Sequence, residues 1–255
     1  MDFDATQDAA VSACTNTTKR LVAITGQAGT GKTTIMRQVY EHFYSKGIEP
    51  VMCAPTGKAA KRIQEATGVP AMTIHRLLEY PHPGEMNPKT GRPYNTTDPK
   101  RDRLNPIESR VVLCDEYAMV NTEVHRNLLD ALPSGGLIRM FGDANQLPPI
   151  EMNKKLQGKP SPFVTMLNDF SGIRLTKIHR QAEGSNIIQN GNRIIQGIMP
   201  RRADDFSIKI TDTPIDVITE IVAEGLEGNT DFGKLQYQII APTKPVSSAK
   251  TATLR

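Results

Sequence analysis

A glycine-rich loop near the amino terminus contains the residues best suited to chemistry. Residues 26–33 read GQAGTGKT and fit the pattern G-x-x-x-x-G-K-[ST]. Glycines let backbone N–H groups surround a phosphate, and a helix that begins at the loop directs its positive dipole end at the same anion. Lys32 is expected to reach the β- and γ-phosphates of a nucleotide, and the Thr33 hydroxyl to ligate Mg²⁺. The predicted nucleotide-binding residues of this loop are Gly26, Gln27, Ala28, Gly29, Thr30, Gly31, Lys32, Thr33 and Thr34.

Two adjacent carboxylates, Asp115 and Glu116, follow an apolar run at residues 110–114 (RVVLC). Beside a phosphate-binding loop, Asp115 is predicted to hold Mg²⁺ directly or through water. Glu116 is predicted to orient and deprotonate an attacking water. Without that loop, both would be typical of solvated turn residues. The loop upstream therefore favours the catalytic interpretation.

Short apolar runs alternate with helical patterns through most of the chain. Strands are predicted at 21–25, 50–54, 110–114, 137–141, 173–176, 206–210 and 237–241. Helices are predicted around 6–13, 121–132, 163–170, 186–196 and 216–226. This alternation predicts an α/β fold with a parallel sheet flanked by helices. Ligands of such sheets bind where the carboxyl ends of the strands meet.

Polar residues follow several of the other strands. Pro55, Thr56 and Lys58 lie at a second strand-to-helix junction, where a hydroxyl, helix N–H groups and an ammonium suit a phosphodiester. A solvated helix face is the alternative for Lys58. Thr73 and His75 open a short helix, in which Thr73 is equally suited to capping and His75 to the surface.

Two further polar sites depend on context. Asn145 and Gln146 follow the strand at 137–141 and are able to hydrogen-bond a γ-phosphate, a water or a nucleic-acid strand. Gln7 lies in the first predicted helix, upstream of the phosphate-binding loop. Taken alone, it is typical of an ordinary surface glutamine.

Residues 79–106 differ from the rest because they carry six prolines and two glycines, which exclude a helix. The second half is basic, through Lys89, Arg92, Lys100, Arg101 and Arg103. A disordered surface loop is one interpretation. The other is a small inserted hairpin, since KTGRPY offers a turn beside Tyr94.

Composition restricts the class of protein. The 255 residues suit one large domain, or one domain and part of another. A net charge of +4 permits nucleic-acid binding without establishing it. No apolar run is long enough to span a bilayer, and the acidic start MDFDATQDAA is unlike a secretory signal. Three scattered cysteines indicate reduced thiols, so we expect a cytoplasmic protein with no membrane partner.

In their order, these stretches resemble the motifs of superfamily 1 DNA helicases, in the RecD-like and phage Dda-like branch. GQAGTGKTT is similar to motif I, APTGKAAKRI to motif Ia, TIHRLL to motif Ib, LCDEYAMV to motif II, GDANQLPPI to motif III, LTKIHRQ to the arginine-bearing motif IV, and IIAPTK to the strand and loop before the later motifs. Tyr117-Ala118 stands where Ala-Ser is commoner, which we interpret as a minor variation.

The resemblance implies roles for individual residues. Gln7 would recognise adenine, Gln146 would sense the γ-phosphate, and Arg180 would be an arginine finger from the second motor domain. The single-strand channel would be lined by Pro55, Thr56, Lys58, Thr73, His75 and Asn145. The segment at 79–106 lies where relatives carry the 1B pin hairpin that splits the duplex, and Tyr94 would be a stacking residue in it.

The resemblance also implies a domain organisation. Residues 1–172 would form a RecA-like ATPase domain 1A, with the inserted pin-like 1B segment at about 79–106. Residues 173–255 would begin a second RecA-like domain, 2A. The last DNA-contacting and arginine motifs of the family are missing, so we expect either a fragment of a longer helicase or a naturally short product. An incomplete second domain would leave an apolar face uncovered, which predicts poor solubility or a partner.

The predicted function is that of an ATP- and Mg²⁺-dependent DNA helicase moving 5′→3′ on single-stranded DNA and opening fork DNA. Replication or recombination proteins are the expected partners, in the cytoplasm of a bacterium or of a phage-infected host. One alternative is a DNA-stimulated ATPase that does not unwind alone. Another is a nucleotide-dependent DNA-binding module without turnover. A small-molecule kinase is disfavoured, because the segments 73–78 and 142–149 serve no evident small acceptor.

Overall fold

The computed structural model describes residues 3–88, 90–170, 172–177, 186–209 and 212–227. Internal contacts define two compact units, Met1–Ile198 and Met199–Arg255. The first unit contains a parallel sheet, and the second contains one described helix, Pro214–Glu227. Within the described residues, no helix is both long and apolar enough to cross a bilayer.

The sheet of the first unit has six strands. They are β1 (Leu21–Gly26), β2 (Val51–Ala54), β3 (Ala71–Thr73), β4 (Val111–Cys114), β5 (Leu137–Gly142) and β6 (Ile173–Leu175). Their order is β3-β2-β4-β5-β1-β6, and every neighbouring pair is parallel. Both β4 and β5 are buried along their whole length, as expected when helices cover both faces of a sheet. Because β5 lies between β1 and β4, the loops that follow these three strands meet at one edge.

Helices pack on both faces of the sheet. The described helices are α1 (Ala5–Thr15), α2 (Lys32–Tyr44), α3 (Gly57–Thr67), α4 (Ile74–Leu77), α5 (Thr122–Asp130), α6 (Pro162–Asp169) and α7 (Asn186–Ile195), with α8 (Pro214–Glu227) in the second unit. One core contains side chains of α1, α2 and α3, such as Ile35 and Ile63. The other contains side chains of α4, α5 and α6, such as Leu128 and Phe163. The predicted α/β fold, a parallel sheet flanked by helices, is confirmed.

Two details of the secondary structure differ from the prediction. The strand β3 was not expected, because three residues are too few to show a period. The predicted strand at 206–210 is wrong over its described part, since Phe206 makes only an isolated bridge with Ala203 and residues 207–209 are irregular. A strand needs neighbours for its backbone hydrogen bonds, and the described residues supply no ladder there. Residue 210 and the predicted strand at 237–241 lie outside the described residues.

The proline-rich segment at 79–106 contains a short hairpin. Met86 and Pro93 form an antiparallel bridge, and the Tyr94 N–H donates to the Glu85 carbonyl at 2.8 Å. The hairpin is one of the two alternatives that the sequence leaves open for this segment. Lys89 lies outside the described residues.

Ion pairs hold the second half of this segment against its surroundings. Lys100 pairs with Glu85, Arg101 with Glu79 and Glu108 at 2.7 and 3.2 Å, and Arg103 with Asp130 at 2.8 Å. Arg101 also donates to the Pro106 carbonyl at 2.9 Å. Much of the basic character seen in the sequence is therefore neutralised locally, and the pairs through Glu108 and Asp130 tie the segment to the body of the first unit.

Candidate nucleotide and nucleic-acid site

The phosphate-binding loop joins β1 to α2 in a backbone shape that needs its glycines. Gly29 and Gly31 have φ angles of 87° and 85°, a left-handed conformation that glycine adopts without steric cost. A Cβ added to Gly26 would lie 2.4 Å from Thr30 Oγ1. No side chain caps the amino end of α2. Its first backbone N–H groups therefore keep the capacity to bind an anion.

Lys32 folds back over its own loop. Its ammonium donates to the Gly26 carbonyl at 2.5 Å and to the Gln27 carbonyl at 3.0 Å. An ammonium has three donors, so one remains for a phosphate oxygen, and rotation of the flexible stem would release the other two. The structure thus holds the lysine at the loop where a phosphate would bind.

Gln7 is buried, with 4% of its surface exposed, so the surface position expected from its sequence context is wrong. Its Nε2 donates to the Thr30 carbonyl at 3.1 Å, and its Oε1 accepts from the Asp4 N–H at 3.2 Å. A carboxamide has two N–H donors and two acceptor lone pairs. One N–H donor and one acceptor lone pair of the Gln7 carboxamide therefore remain. They match the acceptor and the donor that the edge of adenine presents.

Glu116 combines backbone strain with an unpartnered oxygen. Its φ and ψ are 52° and 36°, a left-handed conformation that costs a non-glycine residue about 1–3 kcal/mol. Among the described residues, its Oε2 is the buried side-chain oxygen that lacks a hydrogen-bond partner. Both features are rare in a folded protein and concentrate at functional sites.

Asp115 lies beside this glutamate and accepts the Glu116 N–H at 2.9 Å. Burial raises the pKa of Asp115 to about 6; the negative charge of Glu116 adds to the rise, whereas the backbone hydrogen bond and the Lys32 ammonium oppose it. Two neighbouring carboxylates, one with an unpartnered oxygen, form a negative site that a divalent cation would neutralise. The Asp115 carboxylate and the Thr33 hydroxyl are the hard oxygen donors that Mg²⁺ prefers. These residues therefore fit a divalent metal ion.

The loop after β5 is attached to the end of β1. Thr25 Oγ1 accepts the Ala144 N–H at 2.9 Å, one residue before the phosphate-binding loop begins. Asn145 and Gln146 follow in a turn closed by the Gln146 N–H and the Asp143 carbonyl at 3.1 Å, and both are exposed. The structure therefore brings the Gln146 loop to the edge where the phosphate-binding loop and the carboxylate pair lie.

Thr56 and Thr73 both cap helices. Thr56 Oγ1 accepts the Ala59 N–H and Thr73 Oγ1 accepts the Arg76 N–H, each at 3.2 Å. Capping is thus the observed contact of Thr73, as its alternative interpretation predicted. An accepting hydroxyl still has its own O–H to donate to a phosphate. Both threonines therefore remain chemically able to contact a nucleic-acid backbone.

A groove of about 910 Å³ runs between α4, the segment at 79–106 and the start of α5. Its lining includes Thr73, His75, Tyr80, Thr96, Lys100 and Asn121. The His75 and Tyr80 rings lie 4.7 Å apart. The groove joins the Thr73–His75 stretch to the inserted segment and provides hydroxyl, amide, aromatic and cationic groups on one surface. Pro55 and Lys58 belong to the adjacent junction, where Lys58 is exposed.

Tyr94 is half-buried, and the Lys100 ammonium lies 5.0 Å from the centroid of its ring. A base that stacked on that face would have to displace the ammonium.

Arg180 lies outside the described residues, so its role as an arginine finger stays a prediction.

Sequence reasoning missed the side chains around Tyr117. Tyr117 is fully buried, and its hydroxyl lies 2.9 Å from His125 Nδ1. Burial raises the pKa of Tyr117 and lowers the pKa of His125, so both side chains are neutral near pH 7. The departure from the family pattern at Tyr117-Ala118 was the signal available in the sequence.

Arg139 was also missed. It is fully buried in β5 and donates to the carbonyls of Cys14 at 2.6 Å, Lys19 at 2.9 Å and Asn16 at 3.0 Å. Burial lowers the pKa of its guanidinium. A charged residue inside the apolar strand LIRMFG was the available signal. The arginine fixes the carboxyl end of α1, the helix whose first turn carries Gln7.

Comparisons with known proteins agree with these features. A family model described as AAA domain matches residues 2–207. The ATP-dependent RecD2 DNA helicase of Deinococcus radiodurans is 34% identical over 185 residues, which are 72% of this chain and 23% of that protein. The ATP-dependent DNA helicase dda of Enterobacteria phage T4 is 32% identical over 163 residues, 64% of this chain and 35% of that protein. The chain thus spans about a quarter to a third of the length of these relatives.

Solved structures share the fold. A crystal structure of Bacteroides Pif1 bound to ssDNA has a TM-score of 0.52 and 23% identity, covering 89% of this chain and 57% of that one. The Pif1 helicase from Candida albicans has a TM-score of 0.52 and 19% identity, covering 90% of this chain and 56% of that one. The chain therefore belongs to the AAA domain family, with its relatives in the RecD-like and Dda-like branch of superfamily 1 that the motifs predicted.

Proposed function

We propose that this chain is the ATP-hydrolysing motor of a DNA helicase that moves 5′→3′ along single-stranded DNA and opens forked duplexes. The observation that carries the proposal is the meeting of three loops at one edge of the sheet: those after β1, β4 and β5. A phosphate-binding loop, a pair of carboxylates and an exposed amide then share one site. Two relatives are named ATP-dependent DNA helicases, which supports the same function here.

In the proposed hydrolysis step, the phosphate-binding loop and Lys32 bind the nucleotide phosphates. Glu116 accepts a proton from the attacking water, and its unpartnered Oε2 is the acceptor available for that water. Gln146 contacts the γ-phosphate from the loop after β5. Mg²⁺, held by Asp115 and Thr33, supplies charge neutralisation at the phosphates when it is bound.

Single-stranded DNA is the proposed nucleic-acid substrate. Pro55, Thr56, Lys58, Thr73, His75 and Asn145 would contact its backbone. The groove beside α4 offers room for part of the strand, and its lining includes Glu85 and Thr96, which flank the hairpin at 86–93. Tyr94 would stack on a base after the Lys100 ammonium moves aside. Salt should weaken this binding strongly, because phosphate contacts dominate it.

The remaining parts of the proposal concern the rest of the motor. Arg180 would stabilise transition-state charge from a second RecA-like domain. That domain would begin after β6 and not at residue 173 as predicted from the sequence, because β6 pairs with β1 in the sheet of the first unit. Domain closure on ATP would then couple hydrolysis to movement, with replication or recombination proteins as partners. The three described cysteines, all free and buried, support action in a reducing cytoplasm.

ATP turnover with and without single-stranded DNA tests the proposal. We expect turnover to rise when DNA is added, and Lys32→Ala to lower it by about 10²–10³-fold, because an electrostatic contact to the phosphates is lost. Lys46→Ala is the matched control, since Lys46 is an exposed lysine beyond the carboxyl end of α2. A strand-displacement assay on duplexes that carry a single-stranded tail at either the 5′ or the 3′ end then measures the polarity of movement.

The outcomes of these assays distinguish three possible functions of the chain. Displacement of the 5′-tailed duplex alone agrees with the proposed helicase. DNA-stimulated turnover without displacement identifies an ATPase that does not unwind by itself. ATP-sensitive DNA binding with no turnover in any condition contradicts the proposed activity and identifies a nucleotide-dependent binding module.

Gln7→Ala should reduce the preference for ATP over GTP. We expect the KM for ATP to rise about tenfold, because hydrogen bonds to adenine worth about 1.4 kcal/mol are lost. The KM for GTP should change much less. The bond from Gln7 to the Thr30 carbonyl is lost for both nucleotides, so the ratio of the two KM values isolates the contact to the base. An unchanged ratio would show that Gln7 only supports the loop.

A further inference from the structure

Among the described residues, one oxygen of the Glu116 carboxylate has no hydrogen bond to fix its position. Its Oε2 is buried and has no hydrogen-bond partner. Its backbone, by contrast, is bonded on both sides: the N–H donates to Asp115 Oδ1 at 2.9 Å and the carbonyl accepts the Met119 N–H at 3.1 Å. The direction of the carboxylate therefore depends on the left-handed backbone of Glu116. A conformation that costs free energy persists only where neighbouring contacts hold it.

The next residue, Tyr117, supplies such contacts. It is fully buried, and its hydroxyl lies 2.9 Å from Nδ1 of His125 on α5. Its ring meets the His125 ring edge-on at 5.9 Å and lies 6.1 Å from the Phe163 ring on α6. One side chain thus joins the short 3₁₀ helix Tyr117–Met119, which follows Glu116, to α5 and α6.

The hydroxyl needs an explanation beyond packing. A phenylalanine would fill nearly the same volume, and a buried hydroxyl costs free energy unless it is hydrogen-bonded. In this chain the hydroxyl is hydrogen-bonded to His125, whose ring is itself partly buried. A hydrogen bond fixes the distance and angle of the ring against α5 in a way that apolar contact does not.

We propose that the Tyr117–His125 pair is a positioning device that holds Glu116 in its left-handed conformation and so directs its carboxylate at the attacking water. The pair touches no reacting atom and acts through the backbone of Glu116. The part of this inference that concerns catalysis rests on the proposed ATPase activity. The part that concerns the backbone of residues 115–120 stands without it.

Tyr117→Phe tests the catalytic part. We expect kcat for DNA-stimulated ATP hydrolysis to fall about tenfold, since a small displacement of a reacting group carries a cost of this order or more. The KM for ATP should stay the same, because the phosphate-binding loop is untouched. His125→Leu should have the same effect as Tyr117→Phe, and the two together should cost little more than either alone. His125→Asn, which keeps a polar atom near the position of Nδ1, should restore most of kcat.

A matched control removes a buried hydroxyl elsewhere in the same unit. Thr67 Oγ1 donates to the Ile63 carbonyl at 2.7 Å and accepts the Val69 N–H at 3.1 Å, at the far end of α3. Thr67→Val should lower stability without changing kcat. If Tyr117→Phe and Thr67→Val lower kcat equally, or if His125→Asn fails to restore it, the pair has only a structural role and the proposal is overturned.

Hydrogen exchange tests the backbone part without any turnover. The amides of residues 116–120 should exchange faster in Tyr117→Phe than in the unchanged chain, and Thr67→Val should leave them unchanged. Unaltered exchange at these amides overturns the inference even if hydrolysis is observed. Faster exchange in a chain without ATPase activity would support the positioning of Glu116 while rejecting the proposed function.

Discussion

Glu116→Gln is expected to lower ATP turnover by about 10²–10⁴-fold, the range lost when a general base is removed. The amide has almost the same shape as the carboxylate and fits the same left-handed position, but it does not accept a proton at neutral pH. Nucleotide binding should be retained, because Lys32 and the N–H groups of the phosphate-binding loop are unchanged. Single-turnover hydrolysis and equilibrium binding of ATP measure the two quantities separately.

The control for this experiment is Glu41→Gln, which makes the same chemical change on the exposed face of α2, where Glu41 pairs with Arg37 at 2.9 Å. Its turnover should equal that of the unchanged chain. A Glu116→Gln protein that hydrolyses ATP within about threefold of the normal rate, far short of the loss of a general base, would exclude Glu116 as the base. Asp115 would then be the next candidate for the base, because it is adjacent to Glu116 and has a raised pKa.

Sequence reasoning found the parts of this site that depend on local spacing. The positions of Lys32 and the Asp115-Glu116 pair follow from motifs of a few residues. The parallel sheet then brings the ends of β1 and β4 to one edge, whichever residues fill the core. The α/β fold was predictable for the same reason, since buried parallel strands are short apolar runs separated by helices.

What the sequence did not reveal depends on contacts between distant parts of the chain. Four of the carbonyls that Arg139 binds lie more than 100 positions away, and a backbone carbonyl cannot be recognised from residue types. The role inferred for Tyr117 depends on its hydrogen bond to His125, a residue that is not part of the motif. The sequence shows that the second half of the segment at 79–106 is basic, but not that Lys100, Arg101 and Arg103 pair with carboxylates in the fold.

Arg139→Met should destabilise the first unit by about 3–5 kcal/mol, because several carbonyls lose a buried hydrogen-bond donor and each unsatisfied group costs about 1–3 kcal/mol. The guanidinium binds the carbonyls of Cys14, Asn16, Lys19 and Arg20, which lie at the end of α1 and in the turn that leads to β1. A positive charge at a helix carboxyl end is favourable, and methionine would leave these carbonyls without their partner. Chemical denaturation followed by far-ultraviolet circular dichroism measures the loss, since the chain has no tryptophan.

Two comparisons separate the network from the mere loss of a charge. Arg37→Met removes an exposed arginine with a single partner on α2, and it should change the free energy of unfolding by less than about 0.5 kcal/mol. Arg139→Lys keeps the charge but loses the planar fork that reaches several carbonyls at once, so it should fall between the other two. If Arg139→Met costs no more than Arg37→Met, the carbonyls of the α1–β1 turn find other partners. If Arg139→Lys matches the unchanged chain, charge alone fixes α1. The expected order, with methionine worst and lysine intermediate, requires the geometry of the guanidinium itself.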